Sequence, residues 1–157
     1  MPKLVYTNNQ GLQQKSGSGV TWNGSTCQGD YREVITHSGG TTTLVANNSG
    51  CIVAITGTSS GSKIILPAVA SSAGMWFDVA VQASFATHSI TIEANGSDNQ
   101  IVIETAASTN ATAVSTGDDV TLHHSRDAIG DVGRWICDGA NWYAECTAAT
   151  ATFWTAG

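Results

Sequence analysis

Ile129-Gly130-Asp131-Val132-Gly133-Arg134-Trp135-Ile136-Cys137-Asp138-Gly139-Ala140-Asn141-Trp142-Tyr143-Ala144-Glu145-Cys146 is the stretch whose reading decides the fold. Two short alternating runs flank Asp138-Gly139-Ala140-Asn141, residue types that supply the backbone angles and local hydrogen bonds of a tight turn. With Gly139-Ala140 as the loop, a β-hairpin pairs Cys137 with Trp142, Ile136 with Tyr143, Trp135 with Ala144 and Arg134 with Glu145. One face then carries Trp135, Cys137, Trp142 and Ala144. The other carries Arg134, Ile136, Tyr143 and Glu145. Each buried indole removes about 150–250 Å² from water, so the first face is the core face. An exposed Arg134–Glu145 pair is worth at most about 1 kcal/mol. The hairpin is a scaffold signal and carries no catalytic group.

The rest of the chain reads the same way. At 157 residues it fits one domain, long enough to bury about 68–70% of its unfolded surface. Charged residues make up 11% and hydrophobic ones 41%. That is a β-rich, turn-rich composition rather than a disordered one. A net charge of −6 with six scattered Lys and Arg argues against nucleic acid as a partner. No apolar run approaches the roughly 20 residues of a membrane span. The first residues lack the apolar core of a secretory signal, so a cytosolic product is expected.

Residues 1–31 differ in character from residues 32–157. Leu4, Val5 and Tyr6 form a brief apolar cluster, and a polar, glycine-rich run from Asn8 to Gly19 comes after it. Such a run buries too little apolar area to offset its own ordering entropy. It is either a floppy tail or an arm that orders on a partner, with Trp22 and Tyr31 available to tack its far end down.

From Arg32 on, strands alternate with turns. The expected strands span 32–36, 41–46, 51–56, 63–66, 74–82, 89–94, 101–104 and 119–124, with a single helical turn over 68–73. Phe77 and Val79 share the inward face of their strand, as do Ile90 with Ile92 and Val120 with Leu122. Residues 105–116 read as a surface loop and 147–157 as a tail. About ten short strands without an amphipathic helix predict an all-β fold. The expectation is a single antiparallel β-sandwich, jelly-roll-like, over 32–157, preceded by an extended N-terminal arm over 1–31. Its core is expected around Trp135, Trp142, Phe77, Ile92 and Leu122.

Chemistry-bearing patterns are sparse. Adjacent His123 and His124 point to opposite faces of a strand and cannot share a metal. His37 and His88 have no ligand-like neighbours. Asp118, Asp127 and Asp131 fit turns better than a cation loop. No nucleophile elbow, phosphate-binding loop or dinucleotide glycine pattern is present. Cys27, Cys51, Cys137 and Cys146 match no zinc spacing, and the hairpin register separates Cys137 from Cys146. Free, mostly buried thiols are expected, with a Cys27–Cys51 bridge left open. The Asn-x-Ser/Thr sites at Asn23, Asn47, Asn95 and Asn110 are what chance supplies in so Asn-, Ser- and Thr-rich a chain. Trp22, Trp76, Trp154 and Tyr31 are available for a sugar platform, but burial in the core or at a subunit interface is the better reading.

Several pieces in order resemble a domain of tailed-phage structural proteins, notably capsid decoration (cement, head-stabilising) proteins and some fibre-type proteins. They are Thr41-Thr42-Thr43-Leu44, the strand led by Gly50, and Ile65-Leu66-Pro67-Ala68. Next come Gly74 opening an aromatic strand, Ile90-Thr91-Ile92, Ile101, and Gly117-Asp118-Asp119-Val120-Thr121-Leu122. Gly130-Asp131 through Trp135 to Asp138-Gly139-Ala140-Asn141-Trp142-Tyr143 closes the series. The likeness covers roughly residues 41–146. It implies a non-enzymatic bacteriophage virion protein, made in the host cytoplasm and bound to the outer capsid surface. There it would reinforce the head against DNA pressure, as a homotrimer on the major capsid protein. No cofactor, metal, small-molecule substrate, nucleic acid or membrane is implied. Lys3, Leu4, Val5, Tyr6 and Leu12, outside the likeness, are the expected capsid-binding residues of the arm. The alternative is a fibre or spike component that binds host cell-surface glycan.

Overall fold

The computed structural model describes residues 32–157 apart from 86, 97 and 107–110; for residues 1–31 and 111–115 it describes only the backbone of strands. The chain divides into two compact units, Met1–Arg32 and Glu33–Gly157. In the first, β1 (Leu4–Thr7) pairs antiparallel with β2 (Gly11–Gln14), and β3 (Val20–Trp22) pairs with β4 (Ser25–Cys27).

The second unit is all-β. It begins with β5 (Val34–His37), β6 (Thr41–Thr43), β7 (Ile52–Ile55), β8 (Lys63–Ile65), β9 (Trp76–Val81) and β10 (Ile90–Glu93). It continues with β11 (Gln100–Ala106), β12 (Ala111–Gly117), β13 (Asp119–Leu122), β14 (Val132–Cys137), β15 (Trp142–Ala148) and β16 (Trp154–Ala156). Two short 3₁₀ turns lie at Ala46–Asn48 and Val69–Ser71. One sheet has the order β12-β11-β15-β14-β9-β7-β5, the other β16-β13-β10-β8-β6. Inward residues of both sheets form one apolar cluster, so the unit is sandwich-like.

The expectation of antiparallel pairing throughout is corrected. From β5 to β10 the chain crosses to the opposite sheet after every strand. Strands β5, β7 and β9 therefore stack in parallel in one sheet, and β6, β8 and β10 in the other. Parallel neighbours need a long crossover, and here each crossover is the strand laid in the facing sheet. The turn from β5 to β6 shows how so short a link suffices. Gly39 sits at φ +121°, and a Cβ there would come within 2.9 Å of Ser59 Oγ. Only in the second half do hairpins appear: β11 with β12, and β14 with β15. The β14–β15 hairpin enters between β9 and β11 and pairs antiparallel with the first and parallel with the second.

Two further expectations fail for one reason. Residues 105–116, read as a surface loop, include the end of β11 and most of β12, paired from Gln100–Gly117 to Ala106–Ala111. Residues 147–157, read as a tail, extend β15 and supply β16, which pairs with β13. Both stretches are rich in Ala, Ser and Thr, whose small side chains give no alternation of apolar and polar, yet they form ladders once a neighbouring strand is in place.

The core is aromatic. Trp135, Trp142, Phe77, Ile92 and Leu122 are all fully buried. Phe77 stacks on Trp135 with centroids 5.5 Å apart and meets Trp142 edge-on at 5.7 Å. Trp135 reaches across to Trp154 of the facing sheet at 5.5 Å, and Trp154 packs on Phe153 at 4.9 Å. Buried polar side chains tie these layers together. Gln100 Nε2 donates to the carbonyls of Ile92 and Asp118, each at 2.8 Å, while its Oε1 accepts the indole N–H of Trp135 at 3.0 Å. Glu104, also buried, accepts from the backbone N–H groups of Thr152, Phe153 and Trp154 at 2.9, 2.8 and 3.2 Å. Asp131 accepts from the N–H groups of Ala128 and Ala149, each at 2.8 Å.

Candidate functional site

The hairpin register is the one read from the sequence, from Cys137–Trp142 to Arg134–Glu145, with Gly133 opposite Cys146. Asp138 holds its turn, Oδ1 accepting from the N–H groups of Ala140 and Asn141 at 2.7 Å each. Those bonds hold the Asp138 carboxyl below its ordinary range. Tyr143 donates its hydroxyl to Asp138 Oδ2 at 3.0 Å, which fixes the ring on the outward face. Cys137 and Cys146 are free, and burial pushes both thiols up, so they stay protonated and unreactive. Cys51 is buried as well. The side chain of Cys27, and with it a Cys27–Cys51 bridge, lies outside the described residues.

Registers across the seven-stranded sheet align its outward side chains into rows. One row runs Ile101, Tyr143, Ile136, Trp76. The next runs Ile103, Glu145, Arg134, Asp78, Ile52, Val34. Ile103, Ile136, Tyr143, Val132 and Val34 are between 41% and 56% exposed, a concentration of apolar surface that a solvated sheet face does not need. The middle of the second row, Glu145, Arg134, Asp78 and Ile52, lines a shallow groove of about 420 Å³ that also touches Val132 and Thr147.

Arg134 sits at the centre of this face. The expected Arg134–Glu145 pair does not form. Arg134 instead donates Nε to Asp78 Oδ1 at 2.8 Å and Nη2 to Oδ2 at 3.2 Å. Its guanidinium lies 5.4 Å from the centre of the Trp76 ring. Both carboxylates stand directly opposite Arg134 in their ladders, each with an aromatic ring beside it. The guanidinium takes the β9 side, where Asp78 accepts both prongs and Trp76 lies near it, while Tyr143 on the β15 side is tied to Asp138. Glu145 makes no hydrogen bond or ion pair among the described residues.

The outward face of the five-stranded sheet is of another kind. Thr41, Lys63, Thr91, Thr121 and Thr155 form one row. Lys63 pairs with Glu93 at 2.9 Å. Glu93 stands opposite Asp119, and burial, then the nearby Asp118 and Glu93 charges, push the Asp119 carboxyl up. Hydroxyls and charges of this kind remain hydrated.

Three of the histidines are tied to hydroxyl groups of neighbouring residues. His123 Nε2 meets Thr155 Oγ1 at 2.8 Å, and His124 Nδ1 meets Ser89 Oγ at 3.1 Å. His37 is fully buried, with Nδ1 against Thr42 Oγ1 at 2.8 Å. Burial lowers the pKa of both His37 and His123 from 6.5. The unfolded chain therefore binds protons that the folded chain refuses, and stability present above pH 6.5 falls as the pH drops below it. The melting temperature is expected to fall between about pH 6.5 and 5, and His37→Gln should flatten part of that slope. An identical midpoint at both ends of the window would refute this assignment. Asp131, whose carboxyl burial pushes up, acts in the opposite sense on acidification.

Among the described residues no group of three or more His, Cys, Asp or Glu is placed to hold a metal ion, and no helix is long and apolar enough to cross a membrane. Trp154, one of the possible sugar-platform residues, is buried in the core, whereas Trp76 is partly exposed on the outward row. The side chains of Lys3, Leu4, Val5, Tyr6, Leu12, Trp22 and Tyr31 lie outside the described residues. Sequence reading missed Gln100, Glu104 and the Asp78 partner of Arg134, because each acts on residues distant in the chain. No family model, curated protein or solved structure matches the chain.

Proposed function

We propose that the protein is a structural interaction module, a capsid decoration protein that binds the major capsid protein on the outside of a phage head and stabilises it. One observation carries this reading. The apolar core of Glu33–Gly157 is assembled from both of that unit's sheets, and Met1–Arg32 forms a compact unit of its own. A body with its own core leaves Met1–Arg32 to serve as an attachment unit, with Lys3, Leu4, Val5, Tyr6 and Leu12 as contacts. The motif series from Thr41 to Tyr143, which resembles such proteins, supports it.

The test mixes undecorated heads with full-length protein and with a chain lacking residues 1–20. Binding is expected to weaken at least about tenfold on truncation, with the near-UV circular dichroism of the buried tryptophans unchanged. Full occupancy by the truncated chain would exclude the attachment role. The glycan-binding alternative draws on the outward Trp76 and Tyr143. Saturable binding on a glycan array, lost in Trp76→Ala, would favour it over capsid binding.

A further inference from the structure

We infer that the outward face of the seven-stranded sheet is a self-association surface, which pairs with the same face of a second copy across a twofold axis along the β14–β15 seam. This goes beyond capsid attachment and does not depend on it.

The registers carry the inference. The seam lies near the middle of the sheet, with β12, β11 and β15 on one side and β14, β9, β7 and β5 on the other. A twofold axis parallel to the strands at the seam lays β14 over the partner's β15. Each outward residue then meets the one equally distant across the seam. Tyr143 meets the partner's Ile136, and Ile101 meets the partner's Trp76, so an apolar row is covered along its whole length. In the next row Glu145 meets the partner's Arg134, twice by symmetry, while Ile103 lies over the partner's Asp78, whose carboxylate keeps its bond to Arg134 of its own chain.

Charge chooses among the possible axes. An axis running along β14 sets Arg134 against the partner's Arg134, and one perpendicular to the strands lays each strand on its own copy, where Glu145 meets only the partner's Tyr143, Glu145 or Thr147. An axis one strand over, between β14 and β9, buries Glu145 against the partner's Ile52. Only the β14–β15 seam gives Glu145 a cation. It also leaves the Arg134–Asp78 bond of each copy intact, so that each guanidinium is shared between Asp78 of its own chain and the partner's Glu145. The hydroxyl-rich outer face of the other sheet offers no comparable self-match, since its strands present only Ile65, between threonine and charge, with Val45 exposed just beyond β6.

The experiment uses the full chain in light scattering and sedimentation. The wild type is expected as a pair. Glu145→Arg alone and Arg134→Glu alone each place like charges opposite one another twice, and each should weaken pairing at least about 30-fold. An equimolar mixture of the two variants restores both contacts, and should recover a pair containing one copy of each. Ile136→Asp, at a half-exposed position on the outward face, is expected to abolish pairing independently while leaving the near-UV circular dichroism unchanged. A wild-type monomer at about 100 μM would overturn the inference. So would a trimer, the state the sequence resemblance implies, whose mass is indifferent to mixing the variants. Neither result bears on head binding, and failure to bind heads leaves the pairing untouched.

Discussion

Replacing Glu104 with alanine is expected to lower the unfolding free energy by roughly 3–5 kcal/mol. The reason is what stays behind. The carboxylate accepts three consecutive backbone N–H groups, those of Thr152, Phe153 and Trp154. Removing it eliminates the cost of burying a charge, but the N–H groups of Phe153 and Trp154 remain enclosed without an acceptor, and that of exposed Thr152 loses its partner. The bend they belong to is also strained, with Thr152 at φ +60°. It is this bend that turns the chain into β16 and brings Phe153 and Trp154 into the core. Glu104→Gln keeps one oxygen for Phe153 and Trp154 while turning an NH₂ donor toward the Thr152 N–H, and should cost about 1–3 kcal/mol. Urea unfolding followed by tryptophan fluorescence measures both. A loss under about 1 kcal/mol for the alanine variant would mean that the last strand docks without this carboxylate.

The second large effect is at Trp135, where alanine is expected to remove about 4–5 kcal/mol. Its ring touches Phe77 and Trp154, so a cavity would open where the two sheets meet. Its indole N–H is also the only donor shown to Gln100 Oε1 among the described residues. Phenylalanine variants separate the two contributions. Trp135→Phe keeps an aromatic ring on Phe77 but strands the glutamine oxygen. Trp142→Phe removes an indole N–H that has no partner among the described residues. The first should therefore cost about 1 kcal/mol more than the second. Equal losses would show that the Gln100 bond contributes nothing net.

The β14–β15 hairpin was legible because its information is local. A turn signal and two alternating runs specify the register, and Trp135 and Trp142 specify which face is buried. Strand direction was not legible. Val53 and Ile55 look the same whether β7 is flanked by parallel or antiparallel neighbours, because alternation records which face is buried and not the sense of the next strand. The same limit hid the outward rows. Ile136 and Tyr143 read as outward from the hairpin alone, but their alignment with Ile101 and Trp76 depends on β11 and β9 lying on either side. Arg134 shows the limit at one residue: the ladder predicts Glu145 opposite it, yet Asp78 stands opposite on the other side and takes the guanidinium. Gln100 and Glu104 read as ordinary polar strand residues, because their partners come from Ile92, Asp118, Trp135 and Thr152–Trp154.

The alternating path of β5 to β10 bears on how such a chain can change length. Each excursion out to one sheet and back to the other lays down a whole layer that bonds to the layer before it. The first layer, β5 and β6, forms the edge of both sheets at once. Duplicating or deleting one excursion would shift that edge by a layer and leave the Trp135 centre, the β14–β15 hairpin and the Glu104 clasp where they are. The half built of hairpins has no such freedom, since β14 and β15 enter between strands already paired. Insertion or loss of a whole layer is thus expected to be tolerated at the wound end, while the aromatic end requires a single length.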